Sequence, residues 1–483
     1  MFRSCLVGIF LGLVFLPGLS LAGYFPRLEN SGIRGNTASI SREGPVIVIV
    51  VDALRPDRMS AYGFDRPTTP NLKRLADESV IFTDYYVNGN WTRPSTASIL
   101  TGLLPSQHGV ERQSDRLPLE AEVFPKRLSQ AGIVTGAVVG NGNAASAFGF
   151  HQGFQNYVDT VTHWEGLPNA HEIFEHGKTF VTTHANNRFF LMLFLVDLHD
   201  PYDAPALYEK RFVRNPKTRL VRSPHWEKQS YSRDLVDRML DTYDASLNYV
   251  DDQIGHFVEF LKKQKLFDKS TIVVTADHGE AFGEHGVFLH SHHLYEEIIR
   301  VPLMIKLPGA KASGVCTSVA DSTDLFPTVL DLYGLPVVSP GNNGTSLLGV
   351  MGGPCKERPG KKVVVQFNHF GIRRTSLRQE NKKVIYYEPV NEAVFRGTVG
   401  NPHLLPSVSF SDEKVMFFDM SLDPKEKTNL FLTKERLQGN WSALLDEVKK
   451  LRISKRPSSH VVQSADGIDQ ETLRDLKAMG YIQ

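Results

Sequence analysis

The sequence predicts an α/β fold, a mostly parallel sheet flanked by helices, followed by a smaller C-terminal α+β part that contains an antiparallel sheet. Wholly apolar runs at 46–51, 189–196 and 271–276 are too continuous for strands with one wet face, and suit central parallel strands buried on both sides. Helical periodicity alternates with these runs, which is the pattern of βα units. Beyond Gly344-Thr345-Ser346-Leu347 the alternation gives way to short strand-like pieces separated by polar turns.

The elements follow in order. Residues 1–22 read as a secretory signal, with Arg3 at the positive end, an apolar stretch over 5–16, and small residues at Ser20-Leu21-Ala22 for cleavage. Pro17 and Gly18 interrupt the stretch, and it is short for a spanning helix. Export to the periplasm or extracellular space is expected, with an uncleaved N-terminal anchor as the alternative and no further membrane span. Residues 23–44 read as an N-terminal arm, 45–347 as the main domain and 348–483 as the smaller subdomain. Within the main domain the pattern predicts strands at 46–51, 80–82, 133–139, 189–196, 271–276 and 301–307. Helices are expected at 70–78, just beyond Thr92, and at 119–131, 170–184, 235–265 and 324–333. Strands at 363–367, 383–387 and 415–418, with a C-terminal helix, make up the subdomain.

Net charge is +1, from 54 basic and 53 acidic residues, so neither a nucleic-acid partner nor a polybasic membrane anchor is indicated. After removal of the signal two cysteines remain, Cys316 and Cys355; in an oxidising compartment they form either one disulfide or two buried thiols, and spacing does not choose.

The chemistry-bearing residues stand at strand ends, where open parallel sheets gather their ligands. Asp52 follows one apolar run, and Asp277-His278-Gly279-Glu280 follows another. Thr92 lies at a helix start, with Pro94 suited to the first turn, so backbone N–H groups and the positive end of the dipole face an anion. Asp52, Thr92, Asp277 and His278 form a ligand set for a divalent metal ion. A second cluster comprises Asp197 and His199, after the 189–196 run, with His290 and His292; these are candidates for a second ion or for contact with the substrate anion. His199 and His290 are also proton-transfer candidates. Arg93, beside Thr92, and Asn141, at another strand end, are candidate substrate ligands.

Thr92-Arg93-Pro94-Ser95-Thr96 followed by Leu100-Thr101-Gly102 resembles the nucleophile segment of the sulfatase family, within the alkaline phosphatase superfamily. Phe418-Asp419 through Leu422-Asp423-Pro424, Glu426 and Asn429-Leu430 resemble that family's C-terminal signature, and Leu476 to Tyr481 the tail of many bacterial members. The resemblance implies a metal-dependent hydrolase in which the residues at Asp52, Asp277 and His278 hold the ion together with the nucleophile. It also marks departures. The family carries Cys or Ser at the Thr92 position and Arg at the Thr96 position, the pair that directs conversion to formylglycine. Calcium-dependent members present two adjacent aspartates where this chain has Asp52-Ala53, and Asn141 and Asn143 stand where a Lys and a His face the sulfate. Calcium, zinc and manganese all remain open, as one ion or two.

A formylglycine hydrate expels sulfate with its second hydroxyl. Threonine has no second hydroxyl, so its ester is released by water, a familiar route for a phosphorylated nucleophile. The expected activity is therefore hydrolysis of a phosphate mono- or diester on a small-molecule, glycan or lipid substrate. Sulfate ester hydrolysis without formylglycine is the alternative, and transfer of a phospho-headgroup in the cell envelope the second alternative.

Overall fold

The computed structural model describes residues 32–35, 37, 41–160, 169–218, 231–337, 341–369, 372–389, 414–432 and 441–451. The expected signal segment and the C-terminal tail lie outside them; so do 219–230 and 390–405, parts of the two loops (202–230 and 388–405) whose sequences suit substrate specificity.

Nine strands build the main sheet: β1 (Ile33–Gly35), β2 (Val46–Val51), β3 (Val80–Phe82), β4 (Val134–Val139), β5 (Asn156–Asp159), β6 (Phe189–Leu195), β7 (Thr271–Thr275), β8 (Leu303–Lys306) and β9 (Ala312–Cys316). Their spatial order is β1-β9-β3-β8-β7-β2-β6-β4-β5. The run from β7 to β5 is parallel throughout, whereas β8 lies antiparallel to both β7 and β3. Every residue of β2 and of β6 is buried, which is why their sequences lack polar alternation. Helices cover the sheet, among them α1 (Pro70–Ala76), α2 (Thr92–Thr101), α3 (Phe124–Gln130), α4 (Ala170–His184), α5 (Arg233–Lys263) and α6 (Leu325–Leu332). The rings of Phe174 on α4 and Phe257 on α5 pack with centroids 5.0 Å apart.

Three expectations shift. The helix read over 119–131 begins at Phe124, because Ala121 N closes a turn onto Pro118 O and Pro125 then starts the helix. Order begins before residue 45, since Ile33–Gly35 pairs antiparallel with β9 at the sheet edge. The strand read at 301–307 is shorter, at Leu303–Lys306, and runs against its neighbours, with no long crossover helix between β7 and β8 to reverse the chain.

The C-terminal sheet holds β10 (Lys362–His369), β11 (Ile372–Gln379), β12 (Lys382–Tyr387) and β13 (Lys414–Asp419), antiparallel in chain order, with α7 (Trp441–Leu451) on one side. Alternation divides its side chains. Val363, Val365 and Phe367 join the main core, whereas Val364, Leu377, Val384 and Phe417 pack with Trp441, Leu444 and Val448 of α7. Cys316 and Cys355 form a disulfide that ties the end of β9 to the segment leading into this sheet.

Candidate metal and nucleophile centre

The parallel neighbours β7, β2, β6 and β4 end along one edge, and each delivers polar residues there. Asp277 and His278 follow β7, Asp52 follows β2, Asp197 and His199 follow β6, and Asn141 follows β4. Thr92 joins them as the first residue of α2, a helix buried along its whole length. The cap position belongs to Trp91, whose carbonyl accepts from Ser95 N at 3.3 Å, so Thr92 is not the N-cap. Its hydroxyl is left for the strand ends. Thr96, where the family has Arg, turns its own hydroxyl back onto Thr92 O at 2.7 Å.

Thr92 Oγ1 lies 3.2 Å from Asn141 Nδ2 and 3.4 Å from His278 Nε2. The same Asn141 amide donates to Asp52 Oδ2. His278 Nδ1 donates to Gly279 O at 2.8 Å, which fixes the tautomer and leaves the Nε2 lone pair facing inward. That nitrogen is 3.4 Å from Asp52 Oδ1 and 3.5 Å from Asp277 Oδ2, two buried oxygens without a hydrogen-bond partner in the protein. Acceptors facing acceptors in a dry site repel one another unless a cation lies among them. Asp52, Asp277 and His278 each present one ligand atom within 4.8 Å of the others, so the residues fit a divalent ion. Without the ion, burial drives each group toward its neutral form: Asp52 well above the usual carboxylate range, Asp277 up to about 7 with help from Asp52, and His278 down to about 3. Two carboxylates, an imidazole and a hydroxyl make a borderline donor set.

Beside this centre stands His290, its ring 4.2 Å from that of His278 and 5.0 Å from that of His199. His290 Nδ1 is 3.1 Å from Glu280 Oε1, and Glu280 Oε2 accepts from Tyr202 OH at 3.1 Å. Leu289 (φ 63°) and Ser291 (φ 72°) flank His290 in the left-handed region, a setting that β-carbons resist and that the surrounding structure must impose. Burial pushes Glu280 up to about 8 and His290 down to about 3, which favours the neutral form of each. His199 Nδ1 bonds to Asp200 O at 2.8 Å.

Other sequence candidates lie elsewhere. Asp197 Oδ1 accepts from Ala170 N at 3.0 Å, so this carboxylate serves the start of α4 and not the histidines. The His292 ring faces Phe367 of the C-terminal sheet at 6.4 Å. Among the described residues no second group of three metal-capable side chains converges, so of the one or two ions left open by the sequence the structure offers a ligand group for one. Arg93 is buried, stacked 3.5 Å from the centroid of Phe148, and donates to Gln113 O and, at 2.8 Å, to Asn143 Oδ1. Its guanidinium fixes loops around the centre instead of facing a substrate anion. Glu280, Asp200 and Tyr202 have no role assigned from sequence; the available signal is their position one to three residues beyond His278 and His199.

The sulfatase family model matches residues 45–335. An N-acetylglucosamine-6-O-sulfatase of Bacteroides thetaiotaomicron is 24% identical, over 84% of this chain and 86% of that protein. Human arylsulfatase A is 23% identical, over 86% and 88% respectively. Among solved structures, the phosphonate monoester hydrolase of Agrobacterium radiobacter superposes with a TM-score of 0.66 at 18% identity, over 85% of this chain and 95% of its own.

Proposed function

The chain belongs to the sulfatase family, hydrolases of sulfate and phosphonate esters, and from that premise we propose that it cleaves phosphate mono- or diesters with Thr92 as the nucleophile. The observation that carries this reading is the seat of the Thr92 hydroxyl, 3.4 Å from His278 Nε2 and beside the orphaned oxygens of Asp52 and Asp277. Asp52, Asp277, His278 and Thr92 would hold one divalent ion, of which manganese and zinc suit the imidazole best and calcium the carboxylates. When bound, the ion supplies positive charge that lowers the hydroxyl pKa and offsets charge on the transferring group.

This chain's residues do the rest. Asn141 orients Thr92 and Asp52 with a single amide nitrogen. Loss of the hydroxyl proton to water frees Thr92 Oγ1 to bond phosphorus while the bond from phosphorus to the leaving oxygen breaks. His290, held through Nδ1 by Glu280, gives that oxygen its proton. Water then attacks phosphorus and His290 takes the proton of that water, while the phosphothreonine bond breaks and the Thr92 oxygen takes back a proton from water to regenerate the hydroxyl. The α2 N-terminus stabilises the anion at both stages.

Sulfate ester hydrolysis is the second reading, favoured by the sulfate substrates named for the curated relatives. The substrate is a small-molecule or glycan ester. The Cys316–Cys355 disulfide supports an exported enzyme. No helix among the described residues is long and apolar enough to cross a membrane. The test is purified enzyme with aryl phosphate, bis-aryl phosphate and aryl sulfate, with Thr92→Ala as control. Turnover confined to the sulfate, or surviving in Thr92→Ala, overturns the proposal.

A further inference from the structure

The C-terminal sheet carries a basic row that no step above uses. Phe367 pairs with Arg374, Arg374 with Tyr387, and Tyr387 with Lys414, so these side chains line up across all four strands on one face. Arg374 lies over the Tyr387 ring at 4.5 Å, and Lys414 over the same ring at 5.3 Å. Arg374 Nη1 donates to His293 Nδ1 at 3.2 Å, and His293 stacks on Tyr295.

Arg374 is only 2% exposed, yet among the described residues no carboxylate pairs with it, and its Nε is buried without a partner. Other cations of the same sheet show what is missing. Lys383 pairs with Glu296 and Glu426, and Arg378 with Asp84 and Glu296. Burying a guanidinium without a counter-ion is costly and is rarely kept unless an anion completes the site. Cations crowd His293: burial, then Arg374, His292 and Lys414, hold it well below the usual histidine range, and burial followed by Arg374 lowers Lys414; the acids Glu426 and Glu297 act on Tyr295, and Glu426 also on Tyr387. The row opens to solvent at Lys414, which is exposed.

The patch also adjoins the centre. His293 follows His290 by three residues, so their Cα atoms are at most about 11 Å apart. Asn90, two residues before Thr92, donates to His293 O at 3.1 Å.

We propose that Arg374, His293 and Lys414 form a second anion subsite, which binds a further negatively charged group, a carboxylate or a sulfate, on the same ester whose cleavage is proposed at Thr92. The preferred substrate is then polyanionic, such as an acidic sugar ester. The proposal rests on the Thr92 reading for its role in turnover, but not for anion binding itself.

The test has a binding arm and a kinetic arm. With divalent ions removed by chelator, sulfate and acetate are titrated calorimetrically into wild type, Thr92→Ala and Arg374→Gln. At least one of the two anions is expected to bind wild type and Thr92→Ala alike, and Arg374→Gln about tenfold or more weaker. No binding of either anion, or equal binding by Arg374→Gln, overturns the subsite. In the metal-loaded enzyme, Arg374→Gln should raise KM for carboxyphenyl phosphate about tenfold while leaving phenyl phosphate unchanged; equal effects on both substrates overturn it. If Arg374→Gln does not fold, Lys414→Gln at the exposed end decides, with weaker anion binding in support and unchanged binding against. If wild type hydrolyses neither phosphate, the hydrolase reading falls, and the calorimetric arm still judges the subsite.

Discussion

The ammonium of Lys383 lies 2.6 Å from Glu426 Oε1, with neither side chain exposed to solvent. Glu426 Oε2 in turn accepts from Glu296 N at 2.7 Å, and Lys383 reaches Glu296 Oε1 at 3.0 Å. One buried cation thus clamps the C-terminal sheet to the segment that follows the His290 loop. Lys383→Met strands Glu426, whose carboxyl burial already pushes up to about 7, beside the carboxylate of Glu296. A loss of about 3–5 kcal/mol is expected on chemical denaturation. The double variant Lys383→Met/Glu426→Gln should recover part of it, since Glu296 keeps Arg378 as a cation and the acid that lost its partner is then neutral.

Asp197 gives a pH dependence with a definite sign. Burial pushes its pKa up to about 7 despite the bond from Ala170 N, so the folded protein keeps a proton that the unfolded chain has lost. Its contribution to stability is full below about pH 4 and is lost as pH rises through 7. Asp197→Asn keeps the acceptor for Ala170 N and cannot ionise. Unfolding measured at pH 5 and pH 8 should show the variant less pH-sensitive, and more stable than wild type at pH 8 by about 2–4 kcal/mol. A variant that is weaker at pH 8 contradicts the assignment.

The disulfide spans 39 residues of chain between Cys316 and Cys355. Closing a loop of that length in the unfolded state is worth about 4 kcal/mol in the chain-entropy account. Cys316→Ser/Cys355→Ser, or mild reduction, should lower stability by an amount of that order. The check is denaturant unfolding with and without reductant.

The sheet was legible wherever burial alone decided the pattern. The runs that became β2, β6 and β7 are apolar at nearly every position because both faces are covered, and Asp52, Asp277, His278 and Asn141 follow from reading what lies just past such strands. Direction was less legible, because the apolar residues of β8 look alike whichever way the strand runs. Short edge strands such as Ile33–Gly35 bury one residue of three and leave almost no pattern. At the site, side-chain direction was the missing quantity. Arg93 and Asp197 sit beside catalytic candidates in sequence but turn to Asn143 and to the start of α4, whereas Glu280 reaches His290 across a loop.

Asn141 joins the nucleophile to the Asp52 carboxylate through one donor. Its amide nitrogen serves Thr92 Oγ1 and Asp52 Oδ2 together, while its oxygen takes Asn143 N at 2.8 Å. Asn141→Asp exchanges that donor for a third buried acid against Asp52, so Thr92 loses its orienting bond and repulsion rises. The kcat on the best aryl ester should fall by about 100-fold, with a smaller change in KM. Asn141→Ala, which removes the donor without adding charge, should fall less. Equal losses in the two variants would show that the donor alone matters and that the acids are already compensated.

Removal of divalent ions exposes the same repulsion in the folded state. Asp52 Oδ1 and Asp277 Oδ2 lack partners and face His278 Nε2, so an ion that binds only the folded protein stabilises it by mass action. Dialysis against chelator should lower the unfolding free energy by about 3 kcal/mol relative to protein held at a hundredfold excess over the ion's Kd. Re-addition of manganese, zinc or calcium in separate samples should restore it, and the ion that acts at the lowest concentration names the preferred metal. Asp277→Asn supplies the control, because it loses one ligand and one of the opposed acceptors together. Its stability should be higher than that of the chelated wild type and should respond little to added metal. A chelated wild type as stable as the loaded one, with Asp277→Asn no better, would place no ion at the end of β7.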